Sequence, residues 1–201
     1  MLSPIKVFTL FVAYTNPRII YAYSVQDSST GKIQFYPSHD AFLRKDRKHE
    51  PHGDRSKITI TQQGATQRIG LMKFDTADYD EDNFVENNIR AYLQLGVAEA
   101  YENAPVTVKI MIVDNDFHEN YVTWNNFDGD AEKDNYVRFT INHQDHVNKV
   151  ERFEVSNLLY PGKDTVLAFV VENSGYVKFH SKENKDSSLS PSLVLTAGDE
   201  L

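Results

Sequence analysis

Basic side chains gathered in one short stretch are the feature of this sequence with the clearest chemical potential. Six of the 21 lysines and arginines lie between residues 44 and 57, namely Arg44, Lys45, Arg47, Lys48, Arg55 and Lys57. A guanidinium group holds a carboxylate or sulfate group with two parallel hydrogen bonds. The stretch therefore predicts a site for an anionic ligand. The alternative is an ordinary solvated loop, because Asp46, Glu50 and Asp54 partly neutralise it.

The charge of the whole chain restricts what such a ligand can be. The 201 residues include 29 aspartates and glutamates, which gives a formal net charge of −8. An acidic protein repels the phosphate backbone of nucleic acids everywhere outside a local basic patch. A nucleic acid is therefore not expected as the partner.

The sequence lacks the motifs that indicate an enzyme. It contains seven histidines but no HExxH spacing, no GxSxG motif and no glycine-rich phosphate loop. Cysteine is absent, which excludes thiol catalysis, cysteine-ligated zinc and iron–sulfur clusters. Glycosidases need two carboxylates at a defined separation, and nothing in the sequence selects such a pair. We therefore predict that the protein is not an enzyme.

Short stretches of alternating polarity, separated by turns, predict an all-β protein. Ile58 and Ile60 alternate with polar residues, which is the pattern of a half-buried strand. Further strands are predicted at residues 68–74, 89–96, 106–113, 136–141, 165–172, 176–180 and 192–196, and residues 150–159 are predicted to be a strand that enters a short turn. Only residues 97–103 have helical character. This regular alternation of short strands and turns indicates a single antiparallel β-sandwich.

The chain ends predict segments outside the sandwich. An apolar run at Val7–Tyr14 predicts either a signal peptide cleaved near residues 22–24 or a strand packed on the domain. No apolar run reaches the roughly 18 residues that a membrane-spanning helix needs. We predict an N-terminal extension with a candidate signal peptide at residues 1–35, the sandwich at 36–197 and a tail at 198–201.

Seven short motifs follow one another in an order that is more specific than any one of them. They are HDAFLR at 39–44, the glycine, linker and strand at 53–60, RIGLMKFD at 68–75, the alternating strand at 89–95, TWNN at 123–126, FEVSNL at 153–158, and VKFHSKE at 177–183 followed by PSL at 191–193. This series resembles the DNRLRE-type domains, grouped as carbohydrate-binding module family 96. Met72 is an extra residue relative to the family pattern, and the tryptophan that often precedes TWNN is replaced by Phe117 or missing.

The resemblance implies a jelly-roll-like β-sandwich that binds an acidic polysaccharide, with alginate as the class known for the family. It also implies a secreted, extracellular protein. Its matched strands make Arg44, Arg68 and Lys73 ligand-binding candidates, and the charge cluster adds Lys45, Arg47, Lys48, Arg55 and Lys57. Calcium sites in the family are structural, and Asp40 and Glu183 lie in matched motifs of the first and last strands. They are therefore the candidate metal ligands.

Two rival functions stay open at this point. A structural or adhesive coat protein would self-associate and show no affinity for glycans. A small polysaccharide lyase would use a tyrosine or histidine base with an arginine against the uronate carboxylate, and would release an unsaturated product. Trp124 is expected to pack on the sandwich rather than to stack on a sugar.

Overall fold

Twelve antiparallel strands make up most of the chain that the computed structural model describes, which is residues 24–27, 32–78, 89–129, 131–160 and 162–196. The strands are β1 Ser24–Asp27, β2 Lys32–Phe35, β3 His39–Arg44, β4 Lys57–Gln63, β5 Thr66–Phe74, β6 Arg90–Ala100, β7 Val106–Val113, β8 Ala131–Ile141, β9 Val150–Glu154, β10 Thr165–Val171, β11 Gly175–His180 and β12 Ser192–Thr196. Among the described residues, helix is confined to one α-helical turn, His143–His146, and to 3-10 turns at Lys45–Arg47, Ser156–Leu158 and Ser187–Leu189. None of the described helices is long and apolar enough to cross a membrane.

The long strand β6 joins the two parts of the sheet. Its first half pairs with β12 and β9, and its second half pairs with β11. From β12 the sheet continues through β2 to β1, and from β11 it continues through β4, β5, β10 and β7 to β8, with β3 beside β5. The nearly all-antiparallel structure confirms the predicted all-β sandwich.

The main core lies where alternate residues of these strands meet. Ile58 and Ile60 of β4 contribute to it together with Leu93 of β6, Met72 of β5 and Phe169 of β10, and all five are almost fully buried. The polar residues that alternate with Ile58 and Ile60 in β4 therefore point to the other face of the strand.

A second apolar cluster lies on the other side of β3, β5 and β10. Leu43, Leu71 and Ala168 form it with Phe117, which comes from the loop at residues 114–129. Trp124 is partly buried against this cluster, in agreement with the structural role expected for it. The loop thus covers a sheet face that would otherwise expose apolar side chains to water.

Two parts of the sheet differ from the sequence-based expectation. Residues 97–103 have helical character in the sequence but are too short for a helix that stands alone, and in the structure β6 continues through them to Ala100. Val97 and Ala100 are buried in the main core and pair with β11 across a register shift, so packing overrides the weak helical preference of a short segment. In addition, β1 and β2 bring parts of residues 24–35 into the sheet. The candidate signal peptide and the C-terminal tail lie outside the described residues.

Candidate functional site

A groove with a polar floor opens on the face of β4 opposite the main core. Its volume is about 210 Å³, and it is lined by Thr59, Thr61, Gln63, Thr66, Arg68, Tyr176 and Lys178. The β4–β5 hairpin forms one side, with Gly64 at its turn in the positive-φ region, at 53°. Tyr176 and Lys178 come from β11, which pairs with β4. Hydroxyl, amide and phenol groups beside two cations suit a ligand that carries hydroxyl groups and negative charge.

Arg68 has the electrostatic properties of an anion-binding residue. It lies directly opposite Arg44 of β3 on one side and Thr61 of β4 on the other. Its Nε atom is buried and finds no hydrogen-bond acceptor among the described residues. Burial, followed by the charges of Arg44 and Arg47, lowers the pKa of Arg68. An anion bound to this guanidinium would relieve the repulsion between the cations.

A pair of lysines forms the opposite end of this polar face. Lys178 faces Thr59 of β4 and Glu99 of β6 in the sheet. Glu99 accepts a hydrogen bond from Lys178 Nζ at 2.5 Å and from Lys57 Nζ at 2.8 Å. These two bonds lower the pKa of Glu99, which keeps its carboxylate ionised. Lys178 Nζ also lies 5.8 Å from the centre of the Tyr176 ring.

The predicted basic residues are not equivalent in the structure. Arg68 lines the groove, and Arg44 and Arg47 lie close enough for their charges to act on Arg68. Arg44 bonds to Asp46 at 2.5 Å and Arg47 to Glu50 at 3.1 Å. Lys57 borders the groove through Glu99.

The remaining members of the predicted set point elsewhere. Lys45 lies over the Trp124 ring at 5.9 Å, and the carbonyl of Lys48 accepts a hydrogen bond from the backbone N–H of Asn125. Arg55 is exposed and bonds to Asp54 at 3.2 Å. None of these three residues lines the groove.

Lys73 lies at the opposite end of the β3–β5 ladder from Arg68. The ladder is regular from residue 68 to residue 73, so the two side chains point to opposite faces. Lys73 is 13% exposed and bonds to Asp116 at 2.8 Å and to Asp164 at 3.3 Å. The structure therefore does not bring it to the groove.

The two predicted metal ligands, Asp40 and Glu183, do lie together. With Glu119 they form a group in which one oxygen of each carboxylate lies within 4.8 Å of the others. Lys182 holds the group: its backbone N–H donates to Asp40 at 2.7 Å, and its Nζ bonds to Glu119 at 3.0 Å and to Glu183. Burial and the charge of Glu183 raise the pKa of Asp40 well above its ordinary value.

The chemistry of this group fits a divalent cation. One ammonium group faces three carboxylates, which leaves two negative charges when all three are ionised. Glu183 Oε2 is buried and has no hydrogen-bond partner among the described residues. Carboxylate oxygens are the ligands that calcium prefers.

Several residues of these sites were missed from the sequence. Tyr176 and Lys178 lie on a strand whose alternation was recognised, whereas Glu99 lies in the part of β6 beyond the predicted strand at 89–96. Only the pairing of β4, β11 and β6 brings the three residues together. Glu119 lies in the acidic turn before the TWNN motif, and this turn is the only sequence feature that could have indicated its role. Within the loop at residues 114–129, the side-chain amide of Asn115 donates a hydrogen bond to Asp128.

The comparison with known families agrees with the fold and the order of the motifs. No curated protein matches the chain. The sequence profile of carbohydrate-binding module family 96 matches residues 31–197, which include the groove strands and the acidic group. Because the match covers most of the chain, this protein belongs to carbohydrate-binding module family 96.

Proposed function

We propose that the protein binds an acidic polysaccharide, of the alginate-like polyuronate class, in the groove between β5 and β11. Family membership implies carbohydrate binding, and the charge distribution of the groove supports the acidic class. The observation that carries the proposal is Arg68, a partly buried guanidinium that lines the groove and lies beside two further guanidinium groups.

The groove supplies the other contacts that a uronate chain needs. Gln63 and Thr66 offer side-chain hydrogen-bonding groups at the hairpin, and the half-buried Tyr176 ring offers an apolar face for a pyranose ring. Because the chain as a whole carries a net charge of −8, a local positive groove also determines where a polyanion can approach.

The experiment is a binding panel with alginate, pectate and a neutral glucan, measured by calorimetry at low and at physiological salt. We expect alginate or pectate to bind and the glucan not to bind. Affinity should fall as salt rises, because the screening length decreases to about 8 Å at physiological ionic strength. Acidic-glycan binding that is insensitive to salt would contradict the proposal.

The same samples discriminate the rival functions. Self-association in sedimentation without affinity for any glycan would favour an adhesive or coat protein. Ultraviolet absorbance from an unsaturated product would favour a lyase. We propose a non-catalytic binding protein that acts outside the cell, where such polysaccharides occur, so neither result is expected.

We also propose that Asp40, Glu119 and Glu183 hold a structural calcium ion. The donor oxygens, the unpartnered Glu183 Oε2 and the excess negative charge support this assignment. Calcium added after chelation should raise the melting temperature of the parent protein, and Glu183→Gln should remove most of that rise. Equal melting temperatures of the parent in calcium and in chelator would contradict it.

A further inference from the structure

The groove is lined by two cations, Arg68 and Lys178, and Glu99 is bonded to the second of them. It bonds to Lys178, which lines the groove, and to Lys57 beside it. All three side chains are between 31% and 41% exposed, so the cluster is open to a ligand. Arg68 has no such carboxylate in bonding distance among the described residues.

We propose that Glu99 holds, in the free protein, the place at Lys178 that an acidic group of the ligand takes in the complex. The groove then has two anion-binding positions. The position at Arg68 is open, and at Lys178 the ligand must displace Glu99. This inference rests on the proposed function and specifies the ligand of that same groove.

The two anion-binding positions define the length of the ligand. Arg68, Thr61 and Tyr176 lie in one row across three strands, and Lys178 is two residues beyond Tyr176. Strand spacing and rise place the Cα atoms of Arg68 and Lys178 about 12 Å apart. A single uronate carries one carboxylate, so it cannot pair with both Arg68 and Lys178. The groove should therefore favour an oligomer with at least two acidic residues over a single uronate.

The ion pairs of Glu99 make the exchange feasible. Exposed ion pairs contribute little to stability because water already solvates both partners. A ligand carboxylate can replace Glu99 at Lys178 with little net loss of hydrogen bonds, while Glu99 turns to solvent. The negative charge of Glu99 nevertheless repels every acidic group that approaches, and this lowers affinity for polyanions.

The test is the variant Glu99→Gln, which keeps the size of the side chain and removes its charge. We expect its affinity for alginate oligomers to rise roughly two- to fivefold at low salt. The matched control is Glu172→Gln, which removes a carboxylate paired with Arg138 away from the groove. The control should leave affinity unchanged, and thermal melting of all three proteins checks that each is folded.

Two results would overturn the inference. One is an affinity of Glu99→Gln equal to or below that of the Glu172→Gln control. The other is a gain in affinity for a single uronate as large as the gain for the oligomers. That result would show that Glu99 does not compete with a second acidic group at Lys178. If the parent binds alginate through Arg68 and Glu99→Gln gives no gain, this inference fails while the proposed function stands. If the parent binds no acidic glycan, both fail.

Discussion

His52, in the basic stretch between residues 44 and 57, makes the stability of the local packing depend on pH. Its ring is buried and stacks on Phe42 with 4.8 Å between centres and 6° between planes, and its Nε2 has no partner among the described residues. Burial, followed by the charges of Arg44 and Arg55, lowers the pKa of His52. The neutral ring is therefore the form that the fold accepts.

This environment predicts a loss of stability in mild acid. The folded-state pKa of His52 lies below the unfolded value of about 6.5, so its contribution is complete above that value and is lost as pH falls below it. His52→Phe keeps the stack and should flatten the fall in melting temperature between neutral pH and the lower folded-state pKa. His49→Phe, on the exposed part of the same stretch, is the control. Parallel pH profiles for His52→Phe and the parent would contradict the assignment.

At the scale of elements, Gly96 allows the segment before β12 to cross β6. A Cβ atom at this position would lie 2.4 Å from the carbonyl oxygen of Leu189 and 3.1 Å from the His180 ring. The first of these contacts involves backbone, which cannot move away as a flexible side chain does.

Gly96→Ala should therefore destabilise the protein by roughly 1–3 kcal/mol, the usual cost of overpacking. The control is Gly64→Asn at the β4–β5 turn, where no atom lies within 4 Å and asparagine tolerates the positive φ. Denaturant unfolding measures both variants. A change no larger for Gly96→Ala than for Gly64→Asn would show that the segment at Leu189 shifts freely.

The elements were predictable where alternation was strong. β4 and β7 follow from their own residues because the apolar residues on one face of each pack on the main core. β10 is buried on both faces and follows from its run of β-branched and other apolar residues. The extension of β6 to Ala100 could not be predicted locally, since its evidence is the pairing with β11. β3 was recognised only through the family motif, because four consecutive residues of it are buried and no alternation shows.

At the scale of the whole molecule, Lys182 joins three distant parts of the chain. It connects β3 at Asp40, the covering loop at Glu119 and the segment after β11 at Glu183. Its side chain is only 6% exposed. Burial lowers the pKa of Lys182, but its bonds to Glu183 and Glu119 outweigh this and raise the pKa above its usual value.

In chelator, where no calcium can replace it, Lys182→Met should cost roughly 3–5 kcal/mol of unfolding free energy, because it leaves buried carboxylates without their counter-ion. Lys185→Met, an exposed lysine on the same segment, should change little. Adding Glu183→Gln to Lys182→Met should recover part of the loss, since one of the uncompensated charges is removed. An unchanged denaturation midpoint for Lys182→Met would contradict the role of this group.

The candidate site was predictable only in part, for a reason that belongs to the whole fold. Arg68 and Lys73 are two cations of one strand, but Lys73 meets Asp116 and Asp164 while Arg68 meets Arg44. Those neighbours come from distant parts of the sequence. The charge cluster indicated the right region, whereas the tertiary structure decides which cations remain available to a ligand.

The most direct test of the central claim compares Arg68→Gln with Arg138→Gln in calorimetric titrations with alginate at low salt. Both variants remove one guanidinium, but Arg138 is paired with Glu172 outside the groove. Losing the charge-assisted hydrogen bonds of Arg68 should weaken binding about ten- to a hundredfold, equivalent to roughly 1.5–3 kcal/mol, with the melting temperature nearly unchanged. Arg138→Gln should bind as the parent does. Equal affinities of the parent, Arg68→Gln and Arg138→Gln would contradict the claim that the groove at Arg68 is the polysaccharide-binding site.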